Sequence, residues 1–393
     1  MKYNGRYIIV LPLVLIIMLG EVSCKKNFFN LAPTSELSPA SFWKTENDAT
    51  QGLTGVYSAL WNVELEELPY LDVLTPNAYS NYPWEGWQSG AYGLWTSTNG
   101  GSPDGQGDGN LWNGVWLGIG RANTFLANIG SVDMDASLKK RMIGEDRFLR
   151  AYYYFYAINF WGAVPLILDP PTVSQATLPR TSVDSVRAQI LTDLDSAAAV
   201  LPAAPYTGSD IGRATEGAAL TLKAKVLLYN QQWVEAAAVC QSVMNLPGTG
   251  YGLFPSYREL FLPQNKDNQE VIFDIQLEST GKYSSYWDTY LGLYNAAYTA
   301  GWSSIEPTQD LVDSYDMKDG STYSKNNPLA DPNDSLNNRD PRLDQTIFRK
   351  GKYYQGLLYP VDTINGVGWP GIYTGYSFKK YTIYDSAYAT PIA

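Results

Sequence analysis

Residues 212–244, GRATEGAALTLKAKVLLYNQQWVEAAAVCQSVM, decide the fold. Helical periodicity runs through Gly212–Asn230 and again through Trp233–Met244, and Gln231-Gln232-Trp233 makes a short turn between them. Ala218, Ala219, Ala224, Ala236, Ala237 and Ala238 are small enough to let the two helices approach closely, which predicts an αα-hairpin. A helix pair of about 34 residues with an Ala-rich packing face is the tetratricopeptide pattern, although the repeats do not align with one another residue by residue. Working outward, helices are predicted over Glu46–Trp61 behind a Thr45 cap, Leu111–Ile129, Ser137–Trp161 and Ser182–Val200. Tyr152–Tyr156, Phe160 and Trp161 then fall in the core, and Cys240 is predicted to be an inert buried thiol. Beyond Pro247 the chain is turn-rich, with short strand candidates at Val271–Gln276 and Leu343–Phe348. The fold class is mostly α: a tetratricopeptide-like helical-repeat scaffold, about 46–62 and 111–246, with a loop-rich, irregular lobe, about 69–110 and 247–393, and a few short strands.

Composition narrows the chemistry. The 393 residues carry 28 Lys+Arg against 39 Asp+Glu, a net charge of −11, without a basic block, so phosphate neutralisation has no source and nucleic acid is excluded as a partner. Histidine is absent, which removes Ser-His-Asp and Cys-His catalysis and every His-ligated zinc site. Two cysteines, Cys24 and Cys240, do not make a disulfide framework. No Walker loop, nucleophile elbow or complete dinucleotide fingerprint is present: Gly118-Ile119-Gly120 lacks a third glycine and lies in a helical pattern. Asp104, Gln106, Asp108 and Gly109 start like a calcium loop, but its twelfth position is Val115, where a bidentate glutamate is needed. The reading therefore carries no cofactor and no metal.

The amino terminus reads as an address. Lys2 and Arg6 precede an apolar run, Ile8–Leu19, too short for comfortable membrane crossing, and Ser23 stands immediately before Cys24. This predicts a lipoprotein signal over 1–23, lipidation of Cys24 and a polar tether over 24–45. Glu21 stands where such signals carry an aliphatic residue, and an ordinary secretory signal with Cys24 as a free thiol is the competing reading.

Tyrosine, at 30 residues, outnumbers Phe and Trp at 12 each, a balance that suits wet surfaces with polar-tipped rings. Sugar recognition needs apolar plates for C–H faces and amides or carboxylates for hydroxyls. Residues 79–95 supply one set of rings, Tyr82, Trp84, Trp87, Tyr92 and Trp95 foremost, with Asp72, Asn77 and Asn81 as polar partners. Tyr286, Trp287 and Trp302 belong to a second set, whose three- and four-residue steps also fit the packing face of a helix.

Nine stretches in order resemble the SusD/RagB family of outer-membrane nutrient-binding lipoproteins. They include Ser41-Phe42-Trp43-Lys44-Thr45, Gly120-Arg121-Ala122-Asn123, RFLRAYYYFYAINFWGAVPL at 147–166, GRATEGAALTLKAKVLLY at 212–229, PTQDLVDSYDMKDG at 307–320 and RDPRL at 339–343. The resemblance implies ligand-contacting aromatics in the two regions above, a location on the outward side of the outer membrane, and a SusC-like TonB-dependent transporter that receives captured oligosaccharide. It also implies a further helix pair closing the repeats. Without that pair, a flank of roughly several hundred Å² of apolar surface is expected to stay uncovered.

Other functions stay open at this point. A peptide ligand suits the same tyrosine-rich surface. A glycoside hydrolase needs only paired carboxylates, for which Asp104, Asp108, Glu306, Asp310 and Asp313 are available. A repeat scaffold without a small ligand is the third reading. Asp340 and Arg342 are expected to fix a local turn.

Overall fold

The computed structural model describes residues 42–60, 68–96, 108–276, 302–349, 352–354, 357–359 and 373–382. The expected leader and Cys24, together with Asp104, Tyr286 and Trp287, lie outside the described residues. Six helices of three or more turns are described: α1 (Glu46–Tyr57), α2 (Asp108–Asn128), α3 (Ala136–Trp161), α4 (Val183–Ala198), α5 (Glu216–Tyr229) and α6 (Trp233–Met244). Each packs against the next in sequence, the arrangement of a helical-repeat row.

Local chemistry sets the helix starts. Thr45 and Asp48 form a reciprocal capping box at α1, Asp135 caps α3, Ser182 caps α4 and Thr215 caps α5. Leu53, Val56, Ile119, Phe125, Phe148, Leu149, Tyr153, Tyr154, Ile190 and Leu194 are among the side chains that close one continuous core. The aromatic run on α3, expected wholly in the core, is core in part: Tyr153, Tyr154 and Phe155 are buried, while Tyr152, Tyr156, Phe160 and Trp161 are half-buried and pack against its edge. Polar ties lie inside as well. Arg150 on α3 makes a two-pronged pair with Asp193 on α4, both contacts 2.8 Å, and donates to the Asn123 side chain of α2 at 3.0 Å. Glu145 accepts from the Tyr57 hydroxyl at 2.9 Å and from Arg213 at 3.0 Å, linking α1, α3 and the start of α5.

Two expectations are corrected here. Cys240 is exposed, not buried. On α6 only Ala236 and Val243 are buried, against α5, and the outer face presents Trp233, Val234, Cys240 and Met244 to solvent because no described element covers it. The strand candidates also fail. Val271–Gln276 is irregular, with Ile272, Phe273 and Ile275 packed against the helical core, and Leu343–Thr346 is a helical turn. The described strands are instead β1 (Ala78–Ser80) with β2 (Ile305–Pro307), and β3 (Lys352–Tyr354) with β4 (Leu357–Tyr359), both antiparallel. A strand three residues long has too little alternation to be legible in sequence, and its existence depends on a partner far along the chain.

Candidate functional site

The loop-rich region has its own small core, Tyr70, Val73, Ala78, Trp87 and Ile305, built around β1 and β2. Tyr79 stands opposite Glu306 in the register, and the pairing is extended by Asn81 N–H donating to the Ser304 carbonyl at 2.8 Å and Thr308 N–H to the Asn77 carbonyl at 3.0 Å. Ala78 and Ser80 face the core and Tyr79 the other side, as strand alternation requires.

Rings leave this frame in two groups. Tyr82 and Trp84 stack at 4.6 Å between centroids with planes 18° apart, and Trp84 is 64% exposed. The Tyr82 hydroxyl donates to the Trp302 carbonyl at 2.8 Å, which brings in the indole of Trp302, itself 48% exposed. The second group is Tyr79, Tyr92 and Tyr373. Tyr79 hydrogen-bonds Tyr92 and lies 6.4 Å from the Tyr373 ring, and both Tyr92 and Tyr373 are mostly exposed. Loss of solvation, with the Tyr92 hydrogen bond next, holds the Tyr79 phenol above its usual range.

Two sequence-predicted contacts, Trp87 and Asn81, are corrected. Trp87 is 3% exposed and stacks flat on Tyr70 at 5.5 Å, and Trp95 leans on Trp87 at 5.4 Å. Trp87 belongs to the lobe's core, and the half-buried Trp95 packs against it. Between Trp84 and Trp87 in sequence, Gly86 adopts φ 82°, a left-handed conformation that ends the turn Pro83–Glu85 and starts the helical turn Trp87–Ala91. Asn81 is buried, and its side-chain amide donates to the Ser303 carbonyl, a structural duty that keeps it from solvent. Asp72 is exposed and Asn77 half-buried, and the two are hydrogen-bonded to each other below β1.

Glu306 is the residue whose role the sequence does not disclose. Among the candidate acids it is fully buried, and its Oε2 accepts from Tyr373 N–H at 2.8 Å, Thr374 N–H at 3.0 Å and the Thr374 hydroxyl at 3.2 Å. Burial pushes its carboxyl up to about 7, against the pull of those donors and of the Asn81 amide. Tyr373 was equally illegible: it lies in a Gly- and Tyr-rich stretch without a period. Asp310 and Asp313 are exposed on the short helix Gln309–Ser314, and Asp313 is held by the Gln309 amide at 2.7 Å. Asp340 takes a two-pronged contact from Arg342, the local turn that the sequence suggested. Among the described residues there is no group of three or more acidic or cysteine side chains arranged to hold a metal, and no helix is long and apolar enough to cross a membrane.

Comparison with known proteins bears on the family and the fold. A family model described as "Starch-binding associating with outer membrane" matches residues 28–228, just over half of the chain, and one described as "SusD family" matches 269–392. The chain belongs to the SusD family. SusD-like protein P25 of Formosa agariphila is 27% identical over 263 residues, covering 64% of this chain and 49% of that protein. The crystal structure of a SusD-like protein from Bacteroides fragilis superposes with a TM-score of 0.75 at 28% identity, over 90% of this chain and 72% of the other. A laminarin-binding SusD-like protein superposes with a TM-score of 0.66 at 25% identity, over 89% and 76%. These SusD-family neighbours carry the same helix-rich fold. The chain spans about half the length of the curated relatives it matches.

Proposed function

We propose that this protein is a non-catalytic, cell-surface glycan-binding lipoprotein, anchored through Cys24 behind a cleaved signal over 1–23, which captures a neutral oligosaccharide and passes it to a SusC-like TonB-dependent transporter. In this reading residues 46–393 form the SusD-like body, on a tether over 24–45, with the loop-rich lobe facing the medium. The observation that carries the ligand class is the exposed ring set of Trp84 stacked on Tyr82 beside Trp302. Flat apolar plates of this kind cover the C–H faces of sugar rings, and one face removes roughly 50 Å² from water, on the order of 1 kcal/mol at about 25 cal/mol per Å². Single plates are weak, so neighbouring rings have to act together. The "starch-binding" description of the matching family and the laminarin bound by a structural neighbour support a glucan as the first class to try. Glu306, the buried member of the candidate acids, already spends its carboxylate on Tyr373 and Thr374, which favours capture over hydrolysis.

Isothermal titration against laminari- and malto-oligosaccharides, beside peptide mixtures, tests the reading. Trp84→Ala and Trp302→Ala are each expected to weaken glycan binding about five- to tenfold without moving the unfolding midpoint, whereas Trp87→Ala should cost about 3–5 kcal/mol of stability. Binding of peptides only, or the appearance of shortened glycans on incubation, would reject it.

A further inference from the structure

The Tyr373–Thr374 turn comes from the far end of the described chain and is fastened to the β1–β2 pair by one buried side chain. Glu306 Oε2 accepts from three donors of the turn, the Tyr373 and Thr374 N–H groups and the Thr374 hydroxyl, at 2.8, 3.0 and 3.2 Å. Downstream, the same segment has separate moorings: the Tyr376 hydroxyl on Gln309 at 2.8 Å, Phe348 N–H on the Ser377 carbonyl at 3.0 Å, and Lys379 N–H on the Thr346 carbonyl at 2.8 Å. Release at Glu306 would therefore free the turn and its exposed ring while leaving the rest of the segment in place.

We propose that Glu306 is a protonation-sensitive latch, a positioning residue that in its ionised form holds the Tyr373–Thr374 turn down and so sets the Tyr373 ring beside Tyr79. The inference rests on the glycan reading only for its consequence in binding. Three donors converging on one carboxylate oxygen are stronger partners for an anion than for a neutral acid, so adding a proton weakens all of them at once. The buried setting brings this change near neutrality, since Glu306 titrates at about 7. The titratable groups facing it are the phenols of Tyr79 on β1 and Tyr373 on the turn. Across the strand pair lies Glu85, which accepts from the Ser80 hydroxyl at 3.4 Å and from Tyr70.

Residue-resolved amide hydrogen exchange tests the latch. After correction for intrinsic rates, protection of the Tyr373 and Thr374 amides should fall about tenfold between pH 8 and pH 6, following the ionised fraction of an acid at about 7, while Lys379 stays protected. Glu306→Gln should abolish that pH dependence. Thr374→Val, which removes one donor and leaves Glu306 intact, should lower protection at both pH values and keep the dependence, so the test survives a poorly folding Glu306 variant. Equal protection at pH 8 and pH 6 in the wild-type protein, or a wild-type profile in Glu306→Gln, would overturn the proposal. Glycan affinity measured alongside should fall with the protection, and affinity indifferent to a switching latch would overturn the positioning role. A switching latch with no glycan binding at either pH would uphold the latch and discard the glycan ligand.

Discussion

Asp146 is fully enclosed on α3, and neither of its carboxylate oxygens has a hydrogen-bond partner among the described residues. Loss of solvation drives its carboxyl well above the usual range, opposed by the charge of Arg150 and reinforced by that of Asp193. An acid whose folded pKa is raised stabilises the fold least at high pH: the cost starts as pH rises through the unfolded value, near 3.8, and is complete only above the folded one. Asp146→Ala is thus expected to gain on the order of 1–3 kcal/mol at pH 8, a gain that shrinks toward pH 4, where the small cavity alone remains. Denaturant midpoints at the two pH values check this, and a destabilised variant at pH 8 would contradict it. Sequence could not single out this residue. Asp146 sits beside Glu145 and Arg147 in what reads as an ordinary charged helix stretch, and only packing reveals that, among the described residues, Glu145 has hydrogen-bond partners and Asp146 has none.

Among the elements, glycine placement separates close helix crossings from open faces. A Cβ on Gly118 of α2 would lie 2.5 Å from the Tyr153 ring of α3, and that ring is pinned by its hydroxyl, which donates to the Val56 carbonyl of α1 at 2.7 Å. Alanine is the better helix former by up to about 1 kcal/mol, but overpacking a locked ring costs about 1–3 kcal/mol, so Gly118→Ala should lose stability on balance. Gly55 on α1 has open space where its Cβ would stand, so Gly55→Ala should gain about 0.5–1 kcal/mol. Urea midpoints of the two variants moving in the same direction would break this account. The helices themselves were legible because period and caps are local properties. Cys240 shows the limit of that legibility: an Ala-rich helix looks buried in sequence, yet which of its faces is covered depends on the neighbours, and α6 is covered on one side only.

For the molecule as a whole, the net charge of −11 sets the electrostatic character of binding. A neutral glycan held by stacking and hydrogen bonds offers no charge to screen, so its Kd should change by less than about twofold between 0.05 and 0.5 M sodium chloride. A steep salt slope would point to a charged ligand and remove the neutral-glycan reading. The same scale shows why the loop-rich lobe was only half readable. Its ring-rich stretch was visible as composition, but of Trp84 and Trp87, three positions apart, the first is exposed to solvent and the second is built into the lobe's small core.

By itself the sequence determined the helical-repeat class, most helix starts, the buried aromatics at the centre of α3, the absence of imidazole chemistry and the ring-rich character of the lobe. Each of these follows from residue type and short-range spacing, where side-chain period and capping chemistry act within one or two turns. Only the tertiary structure decided which rings are exposed and which are core, and that Glu306 is buried with its Oε2 on the Tyr373 and Thr374 donors. Those outcomes depend on β1 meeting β2 and on the Tyr373 turn closing over them. Burial and charge state are properties of that three-dimensional meeting, and no local pattern in the chain encodes them.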